Sequence, residues 1–506
     1  KSRRYIKGRE GKNHKTEKII FLKKKKTKKK KKKGRKQSKI QMKSARQKEC
    51  DYSDDLFAVA TPVWYQDSGK VNPAWLSICK EERNQTTELL EQIASSSNLQ
   101  KAYKQVRRNG GSCGVDQMSI KDFGEWFSKN YQELQSQILQ GSYQPQSVRG
   151  VQIPKPKGGF RQLGIPTVKD RVVQQAISQV LQPIFDPKFS RNSYGFRPKR
   201  NAHQALLEAR KIAKTEKKII VDLDLAKFFD EVNHQRLMWL LSTRIGDKHL
   251  LKLIFKILKT NIMQNGLEEQ RIKGTPQGSP LSPLLSNIVL DELDQELTRR
   301  GLSFVRYADD VQIFVSSQMS AERVQTSIIK FIENKMKLKV NREKSSIKSY
   351  YKMNFLGYSL TTGGNLRLSE TSEQRLKEKL KKITQRNRGV NLEHLLKELK
   401  TVVQGWLHYF RLAQMKSKLI KIEGWLRRRL KCFRLKQCKR VIGIVRFLTK
   451  LGVEKTLCWR TALSGKGWWR LSNSPALNIG MNNKWFIEQG FYSLTENYKQ
   501  LYRNPL

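Results

Sequence analysis

The sequence predicts an α+β layer over about residues 85–365 followed by an all-α unit, and two observations carry that expectation. Strand-like runs, IIVDLDL at 219–225 and LSFVRYADDVQIFVSS at 302–317, are interleaved with helical patterns. After residue 365 helical patterns rich in Lys and Arg dominate. Positive charge is also spread along the whole chain rather than confined to one end.

That charge limits the classes of partner. The 101 Lys and Arg against 44 Asp and Glu give +57 over 506 residues. Residues 1–50 hold 24 basic and 3 acidic side chains, which leaves +36 for residues 51–506. A body this basic calls for a polyanion, and nucleic acid is the natural one. Within residues 1–50, KKKKTKKKKKKGRK at 23–36 repels itself and cannot bury a core, so a disordered tail is expected, then a linker over 51–84. The tail reads either as a nucleic-acid or localisation arm or as an extension without a specific role. Cys50, Cys79, Cys113, Cys432, Cys438 and Cys458 form no CxxC pairs, which argues against a zinc knuckle or disulfide framework and for a reducing compartment. No apolar run approaches the roughly 18 residues of a bilayer span and no secretory signal is evident, so the expectation is neither secreted nor membrane-embedded.

Taken in order, NLQKAYKQVRRNGGSCGVDQMSIKDF at 98–123 reads as a helix, a Gly-rich turn and a second helix start. VQIPKPKGGFRQLGIPTVKDR at 151–171 gives two short strands flanking Gly158 and Gly159, then a helix from near Asp170. In IIVDLDL, Ile219, Val221, Leu223 and Leu225 share one face while Asp222 and Asp224 share the other. A long helical stretch to about Thr260 precedes the turn-rich RIKGTPQGSPLSP and a helix from about Leu284 to Arg300. The next strand pair predicts a hairpin with Asp309 and Asp310 at its tip, and Val311, Ile313 and Val315 alternating with Gln312, Phe314 and Ser316. Val324, Ile328, Ile332 and Met336 then mark a helix face. Farther on, Val402, Trp406 and Phe410, and Ile422, Leu426 and Leu430, mark the apolar stripes of two basic helices, taken as a separate helical domain.

Asp309 and Asp310 at the hairpin tip, with Asp224 on another strand, offer three carboxylates that could meet at a pair of divalent ions. An adjacent Asp pair alone is also ordinary turn chemistry. The surrounding strings decide the matter. IPKPKGGFRQLGIPTVKDR, SYGFRPKRNAHQA, DLAKFFDEVNH, GTPQGSPLSPLLSNIVLDELD, RYADD, NREKS and FLGY occur in that order, and together they resemble group II intron reverse transcriptases from about Asn98 to Tyr358. The resemblance continues more weakly to the C-terminus.

The resemblance implies a right-hand polymerase: fingers and palm at 85–365 with an N-terminal extension, a helical thumb and maturase RNA-binding domain at 366–460, and a short C-terminal extension at 461–506. After Trp468 there are no paired cysteines and no His cluster, so the HNH-type nuclease of some relatives is not expected. It further implies copying of RNA into DNA with two Mg²⁺ ions, Mn²⁺ being a substitute. The metal set would be Asp224, the Leu225 carbonyl, Asp309 and Asp310. Asp222 matches no catalytic position and reads as a solvated strand residue. Phe229 matches the aromatic steric gate, and Lys155, Arg161 and Gln277 match nucleotide-binding positions. Lys344 resembles the basic residue beside the primer end. Arg107 and Arg108, and Arg427, Arg428 and Arg429 beside Trp425, would contact template, primer duplex or intron RNA. Implied partners are group II intron RNA, a primer-template duplex, a DNA target and deoxynucleoside triphosphates. The implied setting is a ribonucleoprotein in bacterial cytoplasm, with an organelle as the alternative. Two other readings stay open: an RNA-binding splicing factor without polymerase activity, and a defence-type reverse transcriptase.

Overall fold

A computed structural model describes residues 88–155 and 158–503, so the tail and linker expected over 1–84 lie outside the described residues. Contacts divide the chain into two units, residues 1–86 with 242–248 and residues 87–241 with 249–506. All that follows concerns the second.

Among the described residues, ten strands form three sheets. β1 (Val148–Pro154) and β2 (Phe160–Ile165) make the hairpin expected around Gly158 and Gly159, and β1 continues in parallel to β4 (Ile262–Gln264), which pairs with β5 (Leu267–Glu269). The second sheet is antiparallel, in the order β6-β7-β3-β8, from β3 (Ile219–Asp224), β6 (Ser303–Tyr307), β7 (Asp310–Val315) and β8 (Ser346–Ser349). A third pairs β9 (Tyr358–Leu360) with β10 (Leu366–Leu368). The Ala202–Ala213 helix packs on β6, and the Gln318–Lys330 helix packs on β3 and β7.

Local chemistry moves several boundaries away from the expected ones. The helix expected from Asp170 begins at Val168, because Thr167 is its N-cap and accepts from the Asp170 N–H. Asp170 is itself buried, taking hydrogen bonds from the Tyr143 and Thr167 hydroxyls and the Gln146 N–H. The stretch expected as one helix after Phe228 is broken. Phe228–Glu231 is a single turn entered through Lys227 at φ +48, and Asn233 then caps a new helix at His234 by accepting from the Arg236 N–H. β7 also lacks the polar face that its alternation predicted. It is a central strand covered on both sides, and Gln312 is as buried as Phe314, each 1% exposed. Asp222, expected to be solvated, instead accepts from the Gln312 amide and the Lys348 ammonium.

Beyond β10 the chain is helical, with long helices at Glu370–Ile383, Leu392–Tyr409 and Lys416–Gln437. Ile422, Leu426 and Leu430 are buried as expected, and so is Phe410, but the rest of the Val402–Trp406 stripe is displaced. Leu396, Leu399, Val403 and Leu407 face the core, while Val402 and Trp406 pack at its edge. The helices are not separately packed. One apolar core runs from Ala205, Leu206, Ile220 and Phe314 through Leu399, Leu407 and Leu426 to Leu477, Phe486, Phe491 and Tyr498. Packing is therefore continuous across the boundaries expected at 365 and 460.

A buried ion pair fixes the tip of the β6–β7 hairpin. Arg306 and Asp294 are both fully buried and joined through Nε and Nη2, with contacts of 2.6–3.0 Å. Arg306 Nη1 donates to Asn287 Oδ1 and to the Ala308 carbonyl, each at 3.0 Å. Breaking a satisfied buried pair leaves one charge without a partner, at a cost of roughly 3–5 kcal/mol. Arg306→Met should accordingly lower the free energy of urea unfolding by an amount in that range, and a loss below about 1 kcal/mol would refute the role assigned to the pair.

Candidate active site

The hairpin tip is the starting point. Tyr307 pairs with Asp310, which leaves Ala308 and Asp309 as the turn, with Ala308 left-handed at φ +56. On the other edge of β7, Asp310 lies opposite Asp224 of β3 in register. Directly opposed like charges on neighbouring strands repel, so this register is unfavourable without a cation nearby. The electrostatics agree. Burial first, then the charges of Asp309, Asp222 and Asp224, push the Asp310 carboxyl up to about 6, opposed by Lys344. Asp309 is raised as well, by burial foremost and also by Asp224, with Arg161 and Arg306 opposing.

The segment 339–345 closes the site from the other side. Asn341 N–H donates to the Asp224 carbonyl, Ala226 N–H to the Lys339 carbonyl, and Ser345 Oγ accepts from the Asp224 N–H. The bridge between Leu225 and Val340 thus uses the Asp224 carbonyl and the Ala226 N–H and leaves the Leu225 carbonyl out of that ladder. Lys344 Nζ stands 3.4 Å from Asp224 Oδ2. Among the described residues no three His, Cys, Asp or Glu side chains close into a ready-made metal cage. The donors are still all oxygen and mutually repelling, with one exposed ammonium against them, which fits a hard divalent cation.

A cavity of about 530 Å³ brings together Arg161, Phe229, Gln277 and Phe196. Its wall is the loop 274–279, which docks on two elements at once. Gly274 and Thr275 N–H donate to the Val232 and Phe229 carbonyls, and the Gln277 carbonyl accepts from Gly164 N–H of β2. Gly274, at φ +86, could not carry a side chain, since a Cβ there would lie 2.8 Å from the Phe229 and Asp230 carbonyl oxygens. Phe196 lines the cavity while its neighbour Gly195 abuts the Ala308 N at the hairpin tip, so cavity and carboxylates lie side by side.

The structure gathers Asp224, Leu225, Asp309, Asp310 and Lys344 at the hairpin, and Arg161, Phe229 and Gln277 at the cavity. Lys155, exposed at the end of β1, does not line the cavity. Arg107 and Arg108 are exposed in the last turn of the Ser96–Asn109 helix, beside Asn109 and Gly110 of the cavity rim. The three arginines at 427–429, expected to contact RNA, have different surroundings. Arg427 pairs with Glu423 at 2.6 Å, Arg428 stacks on Trp469 at 4.1 Å, and Arg429 donates to Thr384 Oγ1 and to the Lys381 and Thr384 carbonyls. Arg429 thereby satisfies the C-terminal carbonyls of the Glu370–Ile383 helix, a structural task.

Sequence reasoning missed Phe196, Gly195 and the Arg306–Asp294–Asn287 group. Gly195 is required because a Cβ there would fall 2.2 Å from the Ala308 N. Asn287 Nδ2 also donates to the Gly195 carbonyl, so the SYGF segment and the hairpin tip are held against each other. The glycine inside SYGFRP was the one available signal. Gly195→Ala should push the tip aside, at a cost of about 1–3 kcal/mol in chemical denaturation; wild-type stability in that variant would show that the approach is not tight.

Two family models match the chain. Residues 153–360 match "Reverse transcriptase (RNA-dependent DNA polymerase)" and residues 373–450 match "Group II intron, maturase-specific domain". "Protein YkfC" of Escherichia coli (strain K12) is 32% identical over 272 residues, 46% of this chain and 71% of that protein. "Group II intron-encoded protein LtrA" of Lactococcus lactis subsp. cremoris is 30% identical over 331 residues, 51% of this chain. The chain spans 54% of the length of that second relative. Among solved structures, the "Partial Cas6-RT-Cas1--Cas2 complex" is 27% identical, covering 49% of this chain and 43% of that chain with a TM-score of 0.33.

Proposed function

Because this chain belongs to the group II intron-encoded reverse transcriptase and maturase family, we propose that it copies intron RNA into DNA and binds that RNA to assist splicing and mobility. The observation that carries the reading is the register of Asp224 against Asp310, with Asp309 at the turn and the Arg161, Phe229 and Gln277 cavity beside it.

Reverse transcriptase domains use divalent metal ions, and the residues that would hold a pair of Mg²⁺ here are Asp224, Asp309 and Asp310 with the Leu225 carbonyl. Mn²⁺ is the natural substitute. Such a pair supplies activation of the primer 3′-OH and neutralisation of the departing pyrophosphate. The chain's own residues do the rest. Arg161 offers a planar fork to phosphate oxygens, and Lys155 a point charge on the hairpin above. Phe229 lies under the sugar and rejects a 2′-OH by bulk. Gln277 is fixed by its own carbonyl and holds the incoming nucleotide against that ring. Lys344 neutralises the primer end, and Arg107 and Arg108 contact template phosphates. Arg427 and Arg428 serve the bound RNA from the helical region. No helix of the described residues is long and apolar enough to cross a membrane.

Primer extension on an RNA template tests the proposal. The wild-type chain should extend a DNA primer only with Mg²⁺ or Mn²⁺, and Asp309→Ala should abolish extension while RNA binding persists. No extension by the wild type, with RNA binding intact, would replace the polymerase reading with that of a splicing factor. Under the same conditions Phe229→Ala should raise ribonucleotide incorporation relative to deoxynucleotide roughly tenfold or more. An unchanged ratio would remove Phe229 from the sugar pocket.

A further inference from the structure

A second basic cavity, of about 720 Å³, lies between the Lys416–Gln437 helix and the C-terminal helices Pro475–Gly480 and Asn483–Glu488. Arg427, Arg428, Lys431 and Lys484 line it together with Asn478 and Asn482, and no acidic residue lines it. Lys431 is only 7% exposed, and its ammonium donates to Asn478 Oδ1 at 2.8 Å. Burial first, and then the neighbouring Arg427 and Arg428, bring its pKa down to about 8. Arg427 has Glu423 as counterion, but the buried Nε–H of Arg428 has no hydrogen-bond partner. Gly424 stands on the wall, and a Cβ added there meets nothing within 4 Å.

Cations crowded around a cavity without an acidic lining repel one another, and a buried donor without a partner carries a desolvation cost. An anion seated among them would relieve both. The side-chain amides of Asn478 and Asn482 already bond to Lys431 and to the Trp485 N–H, respectively. A bare phosphate takes only donors, yet the side-chain amides of Asn473 and Asn483, which also line the cavity, present acceptor oxygens beside the cations. A sugar hydroxyl, both donor and acceptor, matches them. We infer that this cavity seats one backbone phosphate of an RNA strand together with its adjacent ribose 2′-OH, the phosphate on Arg428, Lys431 and Lys484 and the hydroxyl on the side-chain amides of Asn473 and Asn483. The inference rests on the reading of the chain as an RNA-binding protein, but not on its polymerase activity.

The test uses the full chain and measures affinity for a single-stranded RNA oligonucleotide and for DNA of the same sequence across a salt series. Lys431→Gln keeps an amide donor toward Asn478 while removing the charge. Gly424→Met projects into the cavity without removing any charge, and its Cβ has open space. Each should weaken RNA binding and reduce the slope of log affinity against log salt by about 0.7, one phosphate contact on a single strand. Lys397→Gln, which removes an exposed lysine already paired with Glu393, should leave the slope unchanged. Near-UV circular dichroism confirms that each variant is folded. Wild-type slopes in folded Lys431→Gln and Gly424→Met overturn the inference, as does an equal loss in Lys397→Gln. An equal loss on DNA overturns the assignment to RNA, and a wild type with no RNA affinity overturns the underlying reading as well.

Discussion

Everything at the hairpin tip depends on one buried charge pair. Arg306 occupies the second-last position of β6, and its guanidinium is sealed from water with Asp294 from the Ser282–Arg299 helix. Alone, either charge would be untenable there. Together they form a rigid fork whose remaining N–H groups reach Asn287 and the Ala308 carbonyl. The helix thereby dictates where the turn begins, and the turn dictates where Asp309 and Asp310 point. The Asn192 and Tyr194 backbone adds a further clamp, bonding to Arg306 on either side of a parallel bridge at Ser193.

The second fixed point is the loop 274–279. It bonds to the single turn after β3 and to β2, so elements from two different sheets meet across a few residues. His234 adds to this by contacting the Gly274 carbonyl at 2.6 Å, and burial lowers its pKa, which favours the neutral ring. On this side the cavity is therefore held by backbone hydrogen bonds. What the side chains Arg161, Phe229 and Gln277 contribute is chemistry within a frame they do not build.

How much of this was legible in the sequence follows from which interactions are local. The placement of Asp224 on the face of β3 opposite Leu223 was readable because strand periodicity is local. That Asp310 could meet it was also readable, but not that the two stand directly opposite, because register between strands so far apart in sequence is set by tertiary packing. Gln312 looked like a solvent residue because alternation cannot tell an edge strand from a central one covered on both faces. Nothing local in the sequence singled out Arg306, since its partner lies on a helix whose polar side faces inward. In the helical region Val402, Trp406 and Phe410 formed a valid stripe, but the Leu396–Leu407 stripe one position away buried more completely. Within the triple arginine the sequence could not single out Arg429, whose guanidinium is taken up by the end of a neighbouring helix.

The core shared by Ile220 and Phe314 in the sheet and Leu426, Phe486 and Tyr498 in the helices couples two tasks thermodynamically. A ligand that binds only the folded form stabilises whatever unfolds cooperatively with its site, by an amount set by concentration over dissociation constant. RNA held by the helices would then stiffen the sheet that carries the carboxylates, although it touches none of them. In a chain with so much self-repulsion, the nucleic acid becomes part of what keeps the catalytic strands in register.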